Sequence, residues 1–283
     1  MHFKDYIWII MKYAQIVIGP AGCGKSTYCS TIQKHGEAAN RTIEVVNLDP
    51  AAEYFDYSAS GDIRDLISVD DVMEDEDLKL GPNGGLVFCM QYMVENQEWL
   101  NDLVNCPGED DYIVFDCPGQ IELYTHLTVM KDFVRLLQQW KFQVCIVYVM
   151  DSHFVVDIPS YIAGMLTTLS VMMNLDVPHV SILSKIDLLS ASSRNKVEQF
   201  LDPSERGLSE LIDPNPWMEK HTKLMKKIAK IVDDYGFVHF MPLNITDETS
   251  ITEALTFIDI RCLQFGEDED VKTIDPPDPV DDE

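Results

Sequence analysis

The stretch Gly19-Pro20-Ala21-Gly22-Cys23-Gly24-Lys25-Ser26-Thr27 fits the P-loop pattern Gly-x-x-x-x-Gly-Lys-Ser/Thr. The apolar run 13–18 before it predicts a buried strand, and residues 26 to about 40, which contain no proline, predict a helix. Glycines let backbone N–H groups turn inward around phosphate oxygens, and the N-terminus of a helix presents unpaired N–H groups to the same anion. Strand, loop and helix in this order therefore predict a phosphate-binding site, and a chance glycine turn is the weaker alternative.

Individual residues of this loop have distinct predicted roles in binding a nucleotide. Lys25 is expected to bridge the outer phosphates, and the hydroxyl of Ser26 is expected to bind Mg²⁺. A cysteine at position 23 is compatible with binding, because that position acts through its backbone. The nucleotide-binding residues predicted from the loop are Gly22, Cys23, Gly24, Lys25, Ser26 and Thr27.

Composition and charge limit the classes of function. The 283 residues are 46% hydrophobic and 24% charged, which is enough for one large α/β domain with a full core. The formal net charge of −27 repels nucleic acids and anionic membranes, so direct binding to either is not expected. Two explanations of this charge are about equally good, namely that it binds a basic protein partner or that it only keeps the protein soluble. The seven cysteines are scattered, never spaced as Cys-x-x-Cys, and are expected to be small buried residues in a reducing compartment.

The chain is predicted to form a single P-loop domain over residues 13–265, with an extension, 1–12, before it and an acidic disordered tail, 266–283, after it. The five apolar residues 6–10 are too few for a signal peptide or a membrane span, so an intracellular protein is expected. We hypothesise that Met11 is an alternative start, and we expect the residues before it to be dispensable for nucleotide binding.

Two predicted strands end on an aspartate near the P-loop. Strand 43–48 ends at Asp49, and strand 113–115 ends at Asp116. Because the carboxyl ends of parallel strands meet at one edge of a sheet, both carboxylates are expected to face the phosphates. Asp116 is predicted to hold Mg²⁺, directly or through water, and the N–H of Gly119 to meet the γ-phosphate. For Asp49 the alternative is capping of the turn that follows it.

A further strand is predicted at 180–183, and Ser184-Lys185-Ile186-Asp187 follows it directly. This tetrad favours the binding of guanine. The carboxylate of Asp187 can accept hydrogen bonds from guanine N1–H and the 2-amino group together, whereas adenine offers neither donor. The stem of Lys185 can lie along the purine face. Ser184 stands where GTPases at large carry asparagine, and residues 242–244, a candidate second base-contacting loop, are not Ser-Ala-Lys. The guanine preference is therefore expected to be looser than the tetrad suggests.

The segment between the first strands and Asp116 is longer than a small GTPase needs. Its acidic run 69–77 predicts a solvated face, and Gly81-Pro82-Asn83-Gly84-Gly85 predicts a sharp turn before a helix over 86–105. A short helix is expected at 62–67.

The remaining elements complete an α/β pattern. The apolar helix predicted at 158–175 is expected in the core or at an interface rather than in a membrane, because it carries several polar residues. Further helices are predicted at 125–140, 192–200, 217–234 and 251–265, and further strands at 144–149 and 237–241. This order predicts a three-layer sandwich of the P-loop NTPase class, with a mostly parallel sheet, helices on both faces and a helical insertion.

Taken together, the motifs resemble the GPN-loop GTPase family, which is named for the tripeptide Gly81-Pro82-Asn83. The likeness runs from Tyr13 to about Phe265. The run Asp116-Cys117-Pro118 and the acidic tail are most similar to the third eukaryotic paralogue. The resemblance implies a GTPase that uses GTP and Mg²⁺ and works as an obligate dimer, with its nucleotide sites facing the interface.

The resemblance also implies catalytic roles and partners. Asp49, Gln120 and Glu122 would position the attacking water, and Asn83 would reach the phosphates of the partner chain. The dimer would be homotypic or formed with a paralogous GPN-loop GTPase. For the eukaryotic paralogues the resemblance implies assembly and nuclear import of RNA polymerase II, and hence contact with its subunits and a cytoplasmic location with shuttling to the nucleus. Two alternatives stay open, a nucleotide-loaded scaffold with little intrinsic hydrolysis and a P-loop ATPase.

Overall fold

A single parallel sheet organises the protein. The computed structural model describes residues 12–104, 112–155, 158–190, 193, 194, 197, 201, 219–235 and 238–263. The strands are β1 (Lys12–Ile18), β2 (Glu44–Asn47), β3 (Ala59–Asp62), β4 (Tyr112–Asp116), β5 (Phe142–Asp151), β6 (His179–Ser184) and β7 (Phe240–Pro242). Their order is β3-β2-β4-β1-β5-β6-β7, and every neighbouring pair is parallel. The P-loop follows β1 and therefore lies at the middle of the sheet's carboxyl edge.

Helices cover both faces of this sheet. Within the described residues they are α1 (Lys25–Ala38), α2 (Val69–Glu74), α3 (Pro82–Glu95), α4 (Gln97–Val104), α5 (Glu122–Thr125), α6 (Val129–Gln139), α7 (Ile158–Leu175), α8 (Glu219–Tyr235) and α9 (Glu248–Phe257), which is followed by a π-helical turn, Ile258–Leu263.

The core has two main apolar layers, one on each side of the sheet, and a small third cluster lies between α2 and α3. Ile16 and Val17 are adjacent on β1 but lie in different layers, because successive side chains of a strand point to opposite faces. Ile16 packs in the layer that includes α3, α4, α6 and α7, whereas Val17 packs in the layer that includes α1 and α9. The prediction of an α/β P-loop sandwich with a parallel sheet and helices on both faces is confirmed.

The insertion differs from the prediction at both ends of its helix. Pro82 and Asn83 are not in a separate turn but are the first two residues of α3, with Gly81 as N-cap, because proline is well suited to the first helical position. The helix predicted to run on to residue 105 is interrupted at Asn96. The Asn96 side chain donates to the Tyr92 carbonyl at 2.7 Å and ends α3.

Residues 59–62 form a strand that the sequence did not predict. The prediction of a helix over 62–67 is wrong apart from a 3₁₀ turn at Ile63–Asp65. Ala-Ser-Gly-Asp has little intrinsic strand preference, and the strand forms through its pairing with β2. Gly61 leaves room for Leu103, whose Cδ1 would lie 1.9 Å from an added Cβ.

The helix predicted over 125–140 begins later, as α6 at Val129, and a separate short helix, α5, precedes it. Between them, the side chain of Asn174 on α7 donates to the carbonyls of Tyr124 (2.8 Å) and Leu127 (3.5 Å). A residue far along the chain therefore satisfies the backbone groups that the break exposes.

The other predicted elements are present with shifted bounds, and some lie outside the described residues. Among the described helices, α7 alone has the length and hydropathy of a membrane span. Its side chains Tyr161, Met165 and Val171 nevertheless belong to the apolar core. The extension before β1, the tail after residue 263 and most of the helix predicted at 192–200 lie outside the described residues.

Candidate nucleotide-binding site

The P-loop has the backbone conformation that its glycines predict. At Gly19 the φ angle is +147°, and a Cβ there would lie 2.2 Å from the Val149 carbonyl oxygen. Gly24 has a φ of +96° and precedes the first residue of α1. No side chain of the described residues caps α1, so its first N–H groups are available to an anion.

Lys25 lies folded against this loop. Its Nζ donates to the carbonyl oxygens of Gly19 and Pro20, both at 3.2 Å, and its side chain is buried. The ammonium group is thus held inside the loop that is predicted to bind phosphate.

The predicted magnesium ligands are brought together. Asp116, at the carboxyl end of β4, is 2% exposed and is hydrogen-bonded by the Ser26 hydroxyl. It also accepts a hydrogen bond from the Tyr57 hydroxyl, at 3.0 Å to Oδ2. Burial raises the pKa of Asp116, and hydrogen bonds from Ser26 and Tyr57 and the charge of Lys25 offset only part of that rise. Two oxygen donors of the kind that Mg²⁺ prefers therefore lie at the N-terminus of α1.

Asp49 caps a turn and lies near Lys25. Its Oδ1 accepts from the backbone N–H of Ala51 at 3.0 Å, which is the turn-capping alternative. It also lies close enough to Lys25 and Asp116 for their charges to interact with its own. Burial raises the pKa of Asp49, whereas Ala51, Lys25 and Arg64 act to lower it.

The segment after β4 lies directly on the P-loop. A Cβ on Gly119 would come within 2.7 Å of the Ala21 Cα, so only glycine permits this approach. Gln120 and Glu122 line a cavity of about 310 Å³ together with Pro20. Within the described chain the Oε1 of Gln120 is buried and has no hydrogen-bond partner, whereas Glu122 is exposed as the first residue of α5.

The tetrad 184–187, which is predicted to contact the base, is hydrogen-bonded to the P-loop. Ser184 Oγ donates to the carbonyls of Cys23 (2.6 Å) and Met150 (3.1 Å). Lys185 adopts a left-handed backbone conformation and its Nζ donates to the Gly22 carbonyl at 2.6 Å. Ser184, at the position where asparagine is usual, thus contacts the loop through a short hydroxyl.

Asp151 is a site residue that the sequence analysis missed. Lys185 Nζ donates to its Oδ2 at 2.8 Å. Although burial raises the pKa of Asp151, the hydrogen bonds from Lys185 and His153 outweigh that effect and hold the pKa below its usual value. Asp151 ends an apolar strand, as Asp116 does, and that pattern could have identified it.

One carboxylate oxygen of Asp187 accepts no hydrogen bond from the described residues. Within the described residues its Oδ1 is buried and has no hydrogen-bond partner. The neighbouring loop is held by Leu243, whose N–H donates to the Leu183 carbonyl at 2.9 Å. In that loop the Oδ1 of Asn244 accepts from the backbone and hydroxyl of Thr246. A base-contacting role for residues 242–244 stays a prediction.

Comparison with known proteins places the chain in a family. A family model described as a conserved hypothetical ATP binding protein matches residues 17–262. A GPN-loop GTPase 3 from Danio rerio is 51% identical over 92% of this chain and 91% of its own length. This chain belongs to the GPN-loop GTPase family. A GPN-loop GTPase 3 from Saccharomyces cerevisiae is 42% identical over 94% of this chain and 97% of its own.

A solved structure shares the fold of this GPN-loop GTPase. The crystal structure of a GTPase in apo form from Pyrococcus abyssi has a TM-score of 0.71 and 23% sequence identity, and the match covers 87% of this chain and 95% of the other. The predictions of a GTPase, and of similarity to the third paralogue, are confirmed by the relatives named above.

The tripeptide that gives this family its name lies at the start of α3, outside the P-loop. Asn83 is exposed at the N-terminus of α3. No hydrogen bond joins it to the P-loop within the described residues. A role for Asn83 on the phosphates of a partner chain stays a prediction.

Proposed function

We propose that this chain binds GTP with Mg²⁺ and hydrolyses it as half of a dimer. The observation that supports this best is the grouping of Lys25, Ser26 and Asp116 at the uncapped N-terminus of α1. The hydroxyl of Ser26 and the carboxylate of Asp116 fit Mg²⁺, which takes oxygen ligands and, when bound, neutralises charge on the phosphates.

The chain's own groups have complementary tasks in the hydrolysis. The backbone N–H groups of residues 22–27 and the Lys25 ammonium group stabilise the negative charge of the phosphates. To do so, Lys25 exchanges the carbonyls of Gly19 and Pro20 for phosphate oxygens. Asp49 and Gln120 lie beside the P-loop, where a carboxylate and an amide oxygen can accept hydrogen bonds from the attacking water, and Glu122 assists them from α5.

Guanine is favoured over adenine by Asp187. A buried carboxylate oxygen without a donor costs free energy, and guanine supplies N–H donors that adenine lacks. An ATPase is the alternative, and the matching family model is described as ATP-binding. Competition of unlabelled GTP and ATP against a fluorescent guanine nucleotide separates the two. We expect GTP to compete at least about 100-fold more strongly, and equal competition would contradict guanine specificity.

The biological role that we propose is assistance in the assembly and nuclear import of RNA polymerase II, from a cytoplasmic location with shuttling to the nucleus. Its support is the family resemblance, and the partner chain is a second copy or a paralogous GPN-loop GTPase. A pulldown with nucleotide-locked protein tests this role. Recovery of polymerase subunits supports it, and recovery of the dimer partner alone argues against it.

A nucleotide-loaded scaffold that hydrolyses GTP poorly is the second candidate function. The large negative charge of the chain is compatible with it, because such a surface can hold a basic client. Single-turnover hydrolysis, measured for the chain alone and with a paralogous partner, distinguishes the two. A rate that is slow for the chain alone, and that the partner does not increase, favours the scaffold.

A further inference from the structure

Tyr57 contacts the carboxylate that is the predicted magnesium ligand. Its hydroxyl donates to Oδ2 of Asp116 at 3.0 Å, and its side chain is 9% exposed. Ser26 hydrogen-bonds the same carboxylate. Two hydroxyls therefore fix the orientation of Asp116.

The backbone on both sides of Tyr57 is clamped to α1. Asp56 O accepts a hydrogen bond from Ser30 Oγ at 2.5 Å. Ser58 forms a reciprocal pair with Gln33, in which Ser58 N–H donates to Oε1 and Nε2 donates to Ser58 O, both at 2.8 Å. Because α1 also carries Ser26, one helix sets the position of both hydroxyls relative to Asp116.

The ring of Tyr57 is also fixed by packing. Phe55 stacks on it with ring centroids 4.4 Å apart and planes 10° from parallel. Tyr57 belongs to the apolar layer that contains Tyr28 and Val17. An aromatic ring in this setting cannot move its hydroxyl away from Asp116 without disturbing the packing.

We propose that Tyr57 is a positioning residue that holds the Asp116 carboxylate in the orientation in which it binds Mg²⁺ of the nucleotide complex. The inference rests on the proposed binding of Mg²⁺ and GTP. Partners that orient a metal ligand change metal affinity by about 10–100-fold when they are removed. The alternative is that the hydroxyl only satisfies a buried carboxylate and contributes to stability.

Tyr57→Phe removes the hydroxyl and keeps the ring, and the dissociation rate of a fluorescent GDP analogue distinguishes the two roles. We expect dissociation about 10-fold faster than in wild type with Mg²⁺ present, and unchanged when EDTA removes the metal. Direct titration with Mn²⁺, followed by its electron paramagnetic resonance signal, should show a matching loss of metal affinity. Equal acceleration with and without metal, or no change in either, would overturn the inference.

Two further variants serve as a control and as an independent test of the same contact. Tyr54→Phe changes the same residue type in the same loop, but Tyr54 is 80% exposed, so its dissociation rates should match wild type. Gln33→Ala releases Ser58 without touching Asp116 and should give a smaller effect that again depends on Mg²⁺. If wild type itself shows no dependence on Mg²⁺, the proposed magnesium site fails. If wild type depends on Mg²⁺ and Tyr57→Phe behaves identically, the role of Tyr57 alone fails.

Discussion

At the scale of single residues, two buried oxygens indicate where a ligand completes the protein. Asp187 Oδ1 and Gln120 Oε1 have no hydrogen-bond partner within the described residues. An unsatisfied buried acceptor costs about 1–3 kcal/mol, so a ligand that supplies a donor gains that free energy on binding. Asp187 belongs to the predicted base site, and Gln120 lies on the segment beside the P-loop where water is predicted to attack.

Asp187→Asn is expected to change the base preference of the site from guanine to xanthine. The amide loses the charge that accepts from N1–H and the 2-amino group, and it gains a donor that suits the 2-oxo group of xanthine. Two hydrogen bonds to a carboxylate are worth roughly 3 kcal/mol or more, so GTP affinity should fall roughly 100-fold while XTP affinity rises.

Competition binding with GTP and XTP measures this exchange. The exposed residue Asp176, changed to Asn, is the matched control and should leave both affinities unaltered. Retention of GTP affinity by Asp187→Asn would mean that this carboxylate does not contact the base.

At the scale of elements, the protein joins distant segments through buried polar contacts. Arg41 follows α1, and both of its terminal nitrogens donate to Asp259 in the π-helical turn. Tyr112, at the start of β4, donates to the same carboxylate at 2.8 Å. Three elements that are far apart in the sequence therefore meet at Asp259, on the side of the sheet that α1 and α9 cover.

Asp259→Asn should destabilise the fold, because it leaves the Arg41 guanidinium partly buried beside a neutral group. Breaking one partner of such a pair costs about 3 kcal/mol, which urea unfolding can measure. Asp132→Asn is the matched control, because its ion pair with Arg135 is largely exposed and should contribute less than about 1 kcal/mol. Equal losses for the two variants would show that burial of the Asp259 pair has no energetic consequence.

At the scale of the whole molecule, we propose that a second chain completes the catalytic site with its Asn83. Asn83 is exposed at the N-terminus of α3, where a partner chain can reach it. The proposed dimer would supply it from the partner.

Asn83→Ala is expected to slow single-turnover GTP hydrolysis in the dimer by at least about 10-fold, as expected when a group acting on transition-state charge is lost. Nucleotide affinity should stay nearly intact, because the P-loop is unchanged. Asn96→Ala, at the other end of the same helix, should leave the hydrolysis rate unaltered.

Mixing variants of a homodimer tests whether Asn83 acts across the interface. A dimer of one Asn83→Ala chain and one Lys25→Ala chain retains one complete site only if the asparagine comes from the partner. When equal amounts of the two variants exchange chains freely, about half of the dimers are mixed, and each mixed dimer has one complete site of two. We therefore expect hydrolysis to recover to about a quarter of the wild-type rate, and no recovery after complete exchange would assign Asn83 to its own chain.

The local sequence determined those features that depend on short-range geometry. Glycines at 19, 22 and 24 predicted a loop whose backbone turns inward, and all three have positive φ angles in the structure. Apolar strands that end on Asp49 and Asp116 predicted carboxylates at one edge of the sheet, because parallel strands share that edge. The motifs in their order also predicted the family, as the relatives confirm.

Tertiary structure alone decided the features that depend on residues far apart in the chain. Strand β3 forms from Ala-Ser-Gly-Asp because β2 offers a pairing edge, not because those residues prefer a strand. The break between α5 and α6 is stabilised by Asn174, about 50 residues away. Tyr57 reaches Asp116 across 59 positions of sequence. Local propensity carries no information about such contacts, since they are fixed only when packing brings the segments together.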